Sequence, residues 1–296
     1  MGELAALATA VCWAFSSVFF TAASKQIGAL AVNRVRLIFA VLSLLVTHTA
    51  LTGALLPLNA EPYRWLWLGL SGIVGLVIGD TLLFKCYTLI GNRLGTLIMA
   101  GAPVLSTLLA LLFLGEHPSL AGILGMLLCV SGIAVVVLER GGNGAAAADP
   151  RSFAIGLLYG LGGAAGQAVG LVLSKAGLGG GFPAISGVMI RMLVALLVIW
   201  SLTLLARQGG ATLRALGKER SVPLNLLGGS LVGPFIGVWL SQIAVQQTYV
   251  GVASTLMAIT PIVLLPIARW YYKEAVSTRA VLGTLLALAG VAVIFL

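Results

Sequence analysis

The sequence predicts an all-α polytopic membrane protein with ten transmembrane helices in two inverted five-helix repeats. Three observations lead there. First, 60% of the 296 residues are hydrophobic and 8% charged, with a mean hydropathy of +1.11. A soluble domain carries about 25% charged residues, so a water-soluble fold is excluded. Second, apolar runs recur at the length a hydrocarbon core demands, about 20 residues per helix. Lipid offers backbone groups no water, and these runs are too long and continuous for barrel strands, so they are helical. Third, residues 73–138 align without a gap on residues 231–296 at an offset of 158. The match is carried by Gly75/Gly233, Gly79/Gly237, Met99/Met257, Pro103/Pro261, Glu116/Glu274, Gly125/Gly283 and Gly132/Gly290. Hydrophobic composition alone would not place those residue types. Such repeats mark transporters that alternate access around a site between two halves.

In order along the chain, the spans fall near 3–24, 31–51, 64–86, 92–114 and 119–138, then 153–174, 183–206, 223–247, 251–272 and 278–296. No basic stretch precedes the first run and no cleavage pattern follows it, so the first span is expected to remain in the mature protein. It carries a polar stripe of Trp13, Ser17, Thr21 and Ser24, with Tyr159 and Gln167 as rough equivalents in the sixth span. Arg36 opens a run in the second span that resembles the run from Arg191 in the seventh, at offset 155. The third and eighth spans hold Gly75-x-x-x-Gly79 and Gly233-x-x-x-Gly237, and the sixth holds Gly162, Gly166 and Gly170. Each set puts glycines on one helix face, where backbones pack closely in lipid. Residues 1–138 form the first repeat, the Gly- and Ala-rich stretch 139–152 is a flexible linker, and 153–296 form the second. Five spans per half is an odd number, so the second half enters the membrane from the opposite side.

Net charge is +9 and the pI about 10.0. In this composition the basic excess reports membrane orientation rather than nucleic-acid binding. All of the 17 Lys and Arg residues except Arg64, Lys175 and Arg191 sort to the connections that open each span pair, which by the positive-inside rule puts both termini outside. Cys12, Cys86 and Cys129 are odd in number and widely spaced, so neither a disulfide framework nor a metal site is expected. The sequence holds no metalloprotease or phosphate-loop motif, and His48 and His117 sit near span ends. No enzyme activity and no cofactor are expected. Energy would have to come from a substrate or ion gradient, protons included.

Asp80 is the most informative single residue, because it lies about 22 Å of helical rise beyond Trp65. A carboxylate at that depth faces a cavity, a cation or a proton route, or is structurally bonded. Lys85, a turn further on, either pairs with it or reaches to the interface. Trp239, Gln242, Gln246 and Tyr249 form a polar and aromatic stripe on the eighth span, and the same face of the third holds Thr81, Phe84 and Thr88. With Trp13, Ser17 and Gln167, these stripes either line one cavity or bond helix to helix. Pro103 and Pro261 fall mid-helix in spans four and nine, where each frees a carbonyl and permits a kink; a matched pair suggests gates. Glu116 and Glu274 end those spans, as caps for the following helices or as gate partners.

The constellation Gly79-Asp80, Pro103, Leu114-Gly115-Glu116, Gly125 and Gly132, answered by Gly237, Pro261, Lys273-Glu274, Gly283 and Gly290, resembles the EamA-type exporters of the drug/metabolite transporter superfamily. That resemblance implies a multi-pass protein of the cytoplasmic membrane with a central cavity, alternating access and export of amino acids, related metabolites or toxic compounds. It also implies cytoplasmic termini and a basic connection between helices two and three, where this chain has only Arg64, beside Glu61. The competing class is a non-transport membrane protein, such as a lipid scramblase or an assembly partner, or a carrier running in the uptake direction.

Overall fold

The computed structural model describes residues 1–139, 150–217, 219, 221–270 and 277–295. Most of the expected linker 139–152, together with Lys273 and Glu274, therefore lies outside the described residues. The chain forms α1 (Gly2–Ile27), α2 (Ala29–Thr52), α3 (Pro62–Ser71), α4 (Asp80–Met99), α5 (Ala102–Leu114), α6 (Leu120–Glu139), α7 (Pro150–Leu178) and α8 (Ala184–Leu205). It continues with α9 (Gly209–Leu216), α10 (Ser221–Ser230), α11 (Val238–Gln247), α12 (Val250–Met257), α13 (Thr260–Trp270) and α14 (Thr278–Ile294). No strand occurs among the described residues. Leu112 at 75% and Val46 at 73% exposure illustrate the apolar exterior that faces lipid.

Seven runs are long and apolar enough to cross a membrane, among them Pro62–Ile90 and Ser221–Gln247; Ala102–Leu114, Val250–Pro266 and Thr278–Ile294 are shorter apolar helices. Length alone thus gives seven spans rather than the expected ten. The third and eighth expected spans are not uniform α-helices. Each contains a π-helical segment, Gly72–Gly79 between α3 and α4 and Leu231–Gly237 between α10 and α11. The offset of 158 carries one onto the other. In both, the N–H that closes the segment reaches back five residues, Asp80 to the Gly75 carbonyl and Val238 to the Gly233 carbonyl. Wider turns leave backbone groups for side chains to satisfy. Asn33 Nδ2 donates to the Leu76 carbonyl at 3.4 Å and Thr9 Oγ1 to the Gly237 carbonyl at 3.3 Å.

Spans four and nine differ from the expectation of kinked continuous helices. Both are broken, at Ala100–Gly101 and Ala258–Ile259. Pro103 and Pro261 therefore sit in the first turn of α5 and α13, where a missing N–H costs nothing, instead of mid-helix. Across the expected boundary near 87–91 the backbone stays helical, α4 running from Asp80 to Met99. Yet a Cβ on Gly95 would stand 2.6 Å from Tyr87 Cε1 and 3.1 Å from Cys86 Sγ, while nine residues of straight helix rise about 13 Å. The chain turns back on itself between Cys86 and Gly95. Ser119 and Ser277 open the next helices, their hydroxyls accepting from Gly122 N at 3.0 Å and Ala280 N at 3.2 Å.

Glycine faces set the packing. A Cβ on Gly166 would fall 2.8 Å from Gly79 Cα, and one on Gly170 would fall 3.1 Å from Gly75 Cα. α7 thus runs antiparallel along α3, the first π segment and α4. In the other half, Gly233 meets Ser16 and Gly237 meets Trp13, so α1 runs antiparallel along α10, the second π segment and α11. The two halves exchange their leading helices. α6 and α14 repeat the pattern, because a Cβ on Gly125 would lie 2.8 Å from Gly290 O and one on Gly283 would lie 2.9 Å from Gly132 O. Each glycine meets the repeat counterpart of the other, which is the contact rule of a two-fold axis. The Gly132→Leu substitution drives a side chain into the α14 backbone. We expect it to destabilise by at least about 1–3 kcal/mol, read as a lower unfolding midpoint in detergent, with Gly217→Ala, whose Cβ meets nothing nearer than 3.7 Å, unchanged within about 0.5 kcal/mol.

Candidate functional site

A cavity of about 470 Å³ lies between the two halves, within the usual range of small-molecule sites, about 300–1,000 Å³. Its lining contains four pairs related by the repeat: Ser17 and Gln167 at offset 150, and Met99/Met257, Ala100/Ala258 and Pro103/Pro261 at offset 158. The cavity therefore straddles the pseudo-two-fold axis. Both helix breaks open onto it. Leu83, Ile133, Val137 and Leu171 make its walls apolar, and Trp13, Tyr87, Ser254 and Thr260 add polar atoms. Among the described residues no charged side chain lines it. Ser17 Oγ donates to Ala14 O at 2.7 Å and Thr260 Oγ1 to Met257 O at 2.9 Å, so both hydroxyls keep lone pairs for a guest; Ser254 Oγ accepts from Ser106 Oγ at 3.2 Å.

Of the expected substrate contacts, Trp13, Ser17 and Gln167 line this cavity, as do the expected gating residues Pro103 and Pro261. The structure places the others elsewhere. Gln242 is fully buried and accepts from Ser174 Oγ of α7. Gln246 Nε2 donates to Leu178 O at 3.0 Å and Phe182 O at 2.8 Å, tying down the end of α7. Trp239 packs on Phe235, with ring centroids 6.2 Å apart, at the edge of the α2–α8 core. The eighth span thus uses its polar stripe to hold α7, and α5, α6 and α12 supply walls in its place. Phe84 lines a second, separate pocket.

Glu116, at the end of α5, is buried and bonds across the fold rather than to the next helix. Its Oε2 accepts from Val250 N at 2.7 Å, capping α12, and it forms an ion pair with Lys175 of α7. Lys175 Nζ also donates to Thr248 O at 2.6 Å. This cluster fastens one end of the cavity's walls. The counterpart Glu274 lies outside the described residues. His48 likewise is fully buried rather than interfacial, with Nε2 3.0 Å from Ser186 Oγ of α8.

The sequence profile of the EamA-like transporter family matches residues 1–138 and 154–296, nearly the whole chain in two pieces. The chain belongs to that family. A solved structure described only as "Crystal structure of protein" is similar at 17% identity with a TM-score of 0.80, over 99% of this chain and 95% of that one. At that identity the likeness concerns the fold. A comparison with curated proteins finds no match. As an EamA family member with many apolar helices, the chain is an integral multi-pass membrane protein.

In this EamA family protein the intramembrane carboxylate Asp80 sits at the junction of the first π segment and α4, one turn before Leu83 of the cavity wall. Its partner is Arg36 of α2 rather than Lys85, in an ion pair. Arg36 Nε donates to Asn33 Oδ1 at 2.8 Å, and Asn33 in turn holds the π segment. The guanidinium also lies between the Phe20 and Phe84 rings, 6.0 and 5.8 Å from their centroids. Lys85 is exposed, its ammonium 5.4 Å from the Tyr159 ring. Arg191, the repeat counterpart of Arg36, is 2% exposed on α8 and lies against Gly72 and Gly75 of the same π segment. Its Nε and Nη1 have no acceptor among the described residues. Arg64, in the first turn of α3, caps α7 through Gly177 O and Gly179 O at 3.1 and 2.7 Å, and its hydrogen bond holds the carboxyl of Glu61, which precedes α3, below the usual carboxylate range.

Breaking a buried ion pair costs about 3–5 kcal/mol; with the two side chains 14% and 18% exposed, the lower end applies. Asp80→Leu is therefore expected to destabilise the protein, and the double variant Arg36→Met/Asp80→Leu to recover part of the loss. Thermal unfolding in detergent reads this directly. A double variant less stable than either single would remove the pair from the account.

Proposed function

We propose that the protein is a secondary active transporter of the cytoplasmic membrane that exports small amphipathic metabolites by alternating access. The observation that carries this reading is the cavity on the pseudo-two-fold axis, walled by matched residues of both halves and opened at both helix breaks. The division is 1–138 and 153–296 about a connector at 139–152. The seven long runs and three shorter apolar helices together supply ten spans, and the antiparallel pairings of α1, α6 and α7 with their partners support an inverted relation. A short helix on each side of a break crosses only part of the bilayer, which suits non-helical backbone that borders a cavity.

Trp13, Ser17 and Gln167 contact the substrate. An uncharged lining with few hydrogen-bonding groups favours a guest with an apolar body over a small, fully polar one. Pro103 and Pro261 mark the moving elements, and Glu116 with Lys175 latches one end, with Glu274 assigned to the other by the repeat alone. Asp80, Phe84, Trp239, Gln242 and Gln246 position the helices that frame the cavity. Any proton coupling runs through Asp80 and requires its pair with Arg36 to open.

The test is the extracellular metabolite profile of cells making the wild type, Gln167→Trp, Asp80→Asn or no protein, at matched membrane levels. The wild type is expected to accumulate specific amphipathic compounds outside, and Gln167→Trp, which fills the cavity, to lose that export by about tenfold or more while retaining its unfolding midpoint. A Gln167→Trp profile equal to wild type removes the cavity from the pathway. Depletion of the same compounds from the medium by the wild type makes the carrier an importer. No difference between wild type and empty cells rejects the transport reading for the compounds profiled.

A further inference from the structure

A second pocket, of about 390 Å³, lies between the α1–α2 turn, α4 and α9. It is distinct from the central cavity and shares no lining residue with it. Its level in the bilayer follows from the chain. Gly28, with φ +81°, separates two spans by a single residue, and α9 is a short helix between the long α8 and α10. The pocket therefore sits where spans end, at the depth of lipid headgroups.

Its chemistry is two-sided. Ile27, Leu30, Phe84, Ala211 and Ala215 give it apolar walls, whereas Arg34 and Lys85 bring positive charge. Among the described residues no carboxylate lines it. Arg34 Nη1 donates to Thr212 Oγ1 at 3.1 Å and Nη2 to Gln208 Oε1 at 2.5 Å. Both acceptors are neutral, so the guanidinium is fixed in place without being neutralised, and three of its five N–H groups stay available. Lys85 is exposed, with its ammonium over the Tyr159 ring. Arg207, just before α9, and Arg214, on it, are exposed and are not among the residues that line the pocket. Leu30, at 38% exposure, joins the pocket wall to the lipid-facing surface.

A preorganised guanidinium and a free ammonium above apolar walls complement a phosphate attached to a hydrocarbon body. Basic pockets between membrane helices bind such headgroups, and arginine forks match phosphate oxygens. We propose that this pocket binds the phosphate headgroup of an anionic membrane phospholipid, with Arg34 and Lys85 as its ligands and an acyl chain leaving past Leu30.

The experiment is native mass spectrometry of the full chain released from mixed phosphatidylglycerol and phosphatidylcholine micelles, with inorganic phosphate added in a separate arm. Wild type is expected to retain phosphatidylglycerol over phosphatidylcholine. Lys85→Gln, which loses no hydrogen bond, is expected to weaken that retention several-fold, and Arg34→Gln/Lys85→Gln about tenfold or more. The surface control Arg207→Gln/Arg214→Gln removes the same charge outside the pocket and is expected to keep most of it. Equal retention of the two lipids by wild type overturns the proposal, as does an equal loss in the surface control. Displacement of the lipid by inorganic phosphate at matched concentration also overturns it, because a soluble anion would then be the occupant. Since Lys85→Gln leaves the Arg34 contacts to α9 intact, a double variant that fails to fold leaves the single variant to decide.

Discussion

In lipid, helices gain nothing by hiding apolar side chains from one another, so association rests on how closely their backbones approach. That constraint governs this protein. Gly166 and Gly170 admit the backbone of the first π segment, Gly233 and Gly237 admit α1, and Gly125 with Gly132 admits α14. Every contact pairs a helix of one half with a helix of the other. The halves are not two bundles laid side by side, since each has given its first helix to its neighbour. Their interlocking leaves one unfilled region on the axis, bordered by the two places where the helices are interrupted.

Close approach leaves little room for side chains, and the polar groups present are used on the backbone. Asn33 and Thr9 serve π-segment carbonyls, Ser71 Oγ donates to Gly170 O at 2.6 Å, and Gln246 and Arg64 hold the last carbonyls of α7. An unsatisfied carbonyl in hydrocarbon costs several kcal/mol, so these bonds explain why polar stripes can exist on spans that line no cavity. Arg36 extends the same logic to charge, joining Asp80, Asn33 and two aromatic faces at one point.

What the sequence disclosed follows from what repeats in it. The offset of 158 carried the glycine faces and the paired prolines, and both recur in the structure at equivalent places. The π segments were invisible, because Gly, Val, Ile and Leu in that order suit an α-helix as well. Pro103 and Pro261 pointed to the right neighbourhood but not to a break two residues upstream, which depends on tertiary support. The polar stripe of Gln242 and Gln246 was read on the correct helix face, yet only the position of α7 reveals that Ser174 and Leu178 occupy it. Arg36 and Asp80 lie 44 residues apart, and no local rule links them; the likeness of the run from Arg36 to the run from Arg191 marks a repeat but does not name a partner for either arginine. Met99 and Met257 were visible as a matched pair, but nothing in their spacing said that they face a cavity.

For charge, the pseudo-symmetry breaks at Asp80. Rotation about the axis exchanges Arg36 with Arg191 and one π segment with the other, but it exchanges Asp80 with Val238. One arginine has a counter-ion in contact, and the other keeps two donor nitrogens without acceptors among the described residues. A conformation made by swapping the shapes of the two halves would have to house the same charges in a different arrangement. Its free energy would differ from that of the present one before any ligand binds. Because each 1.4 kcal/mol is a tenfold change in population, a difference of that size arising at one aspartate would populate two such conformations unequally.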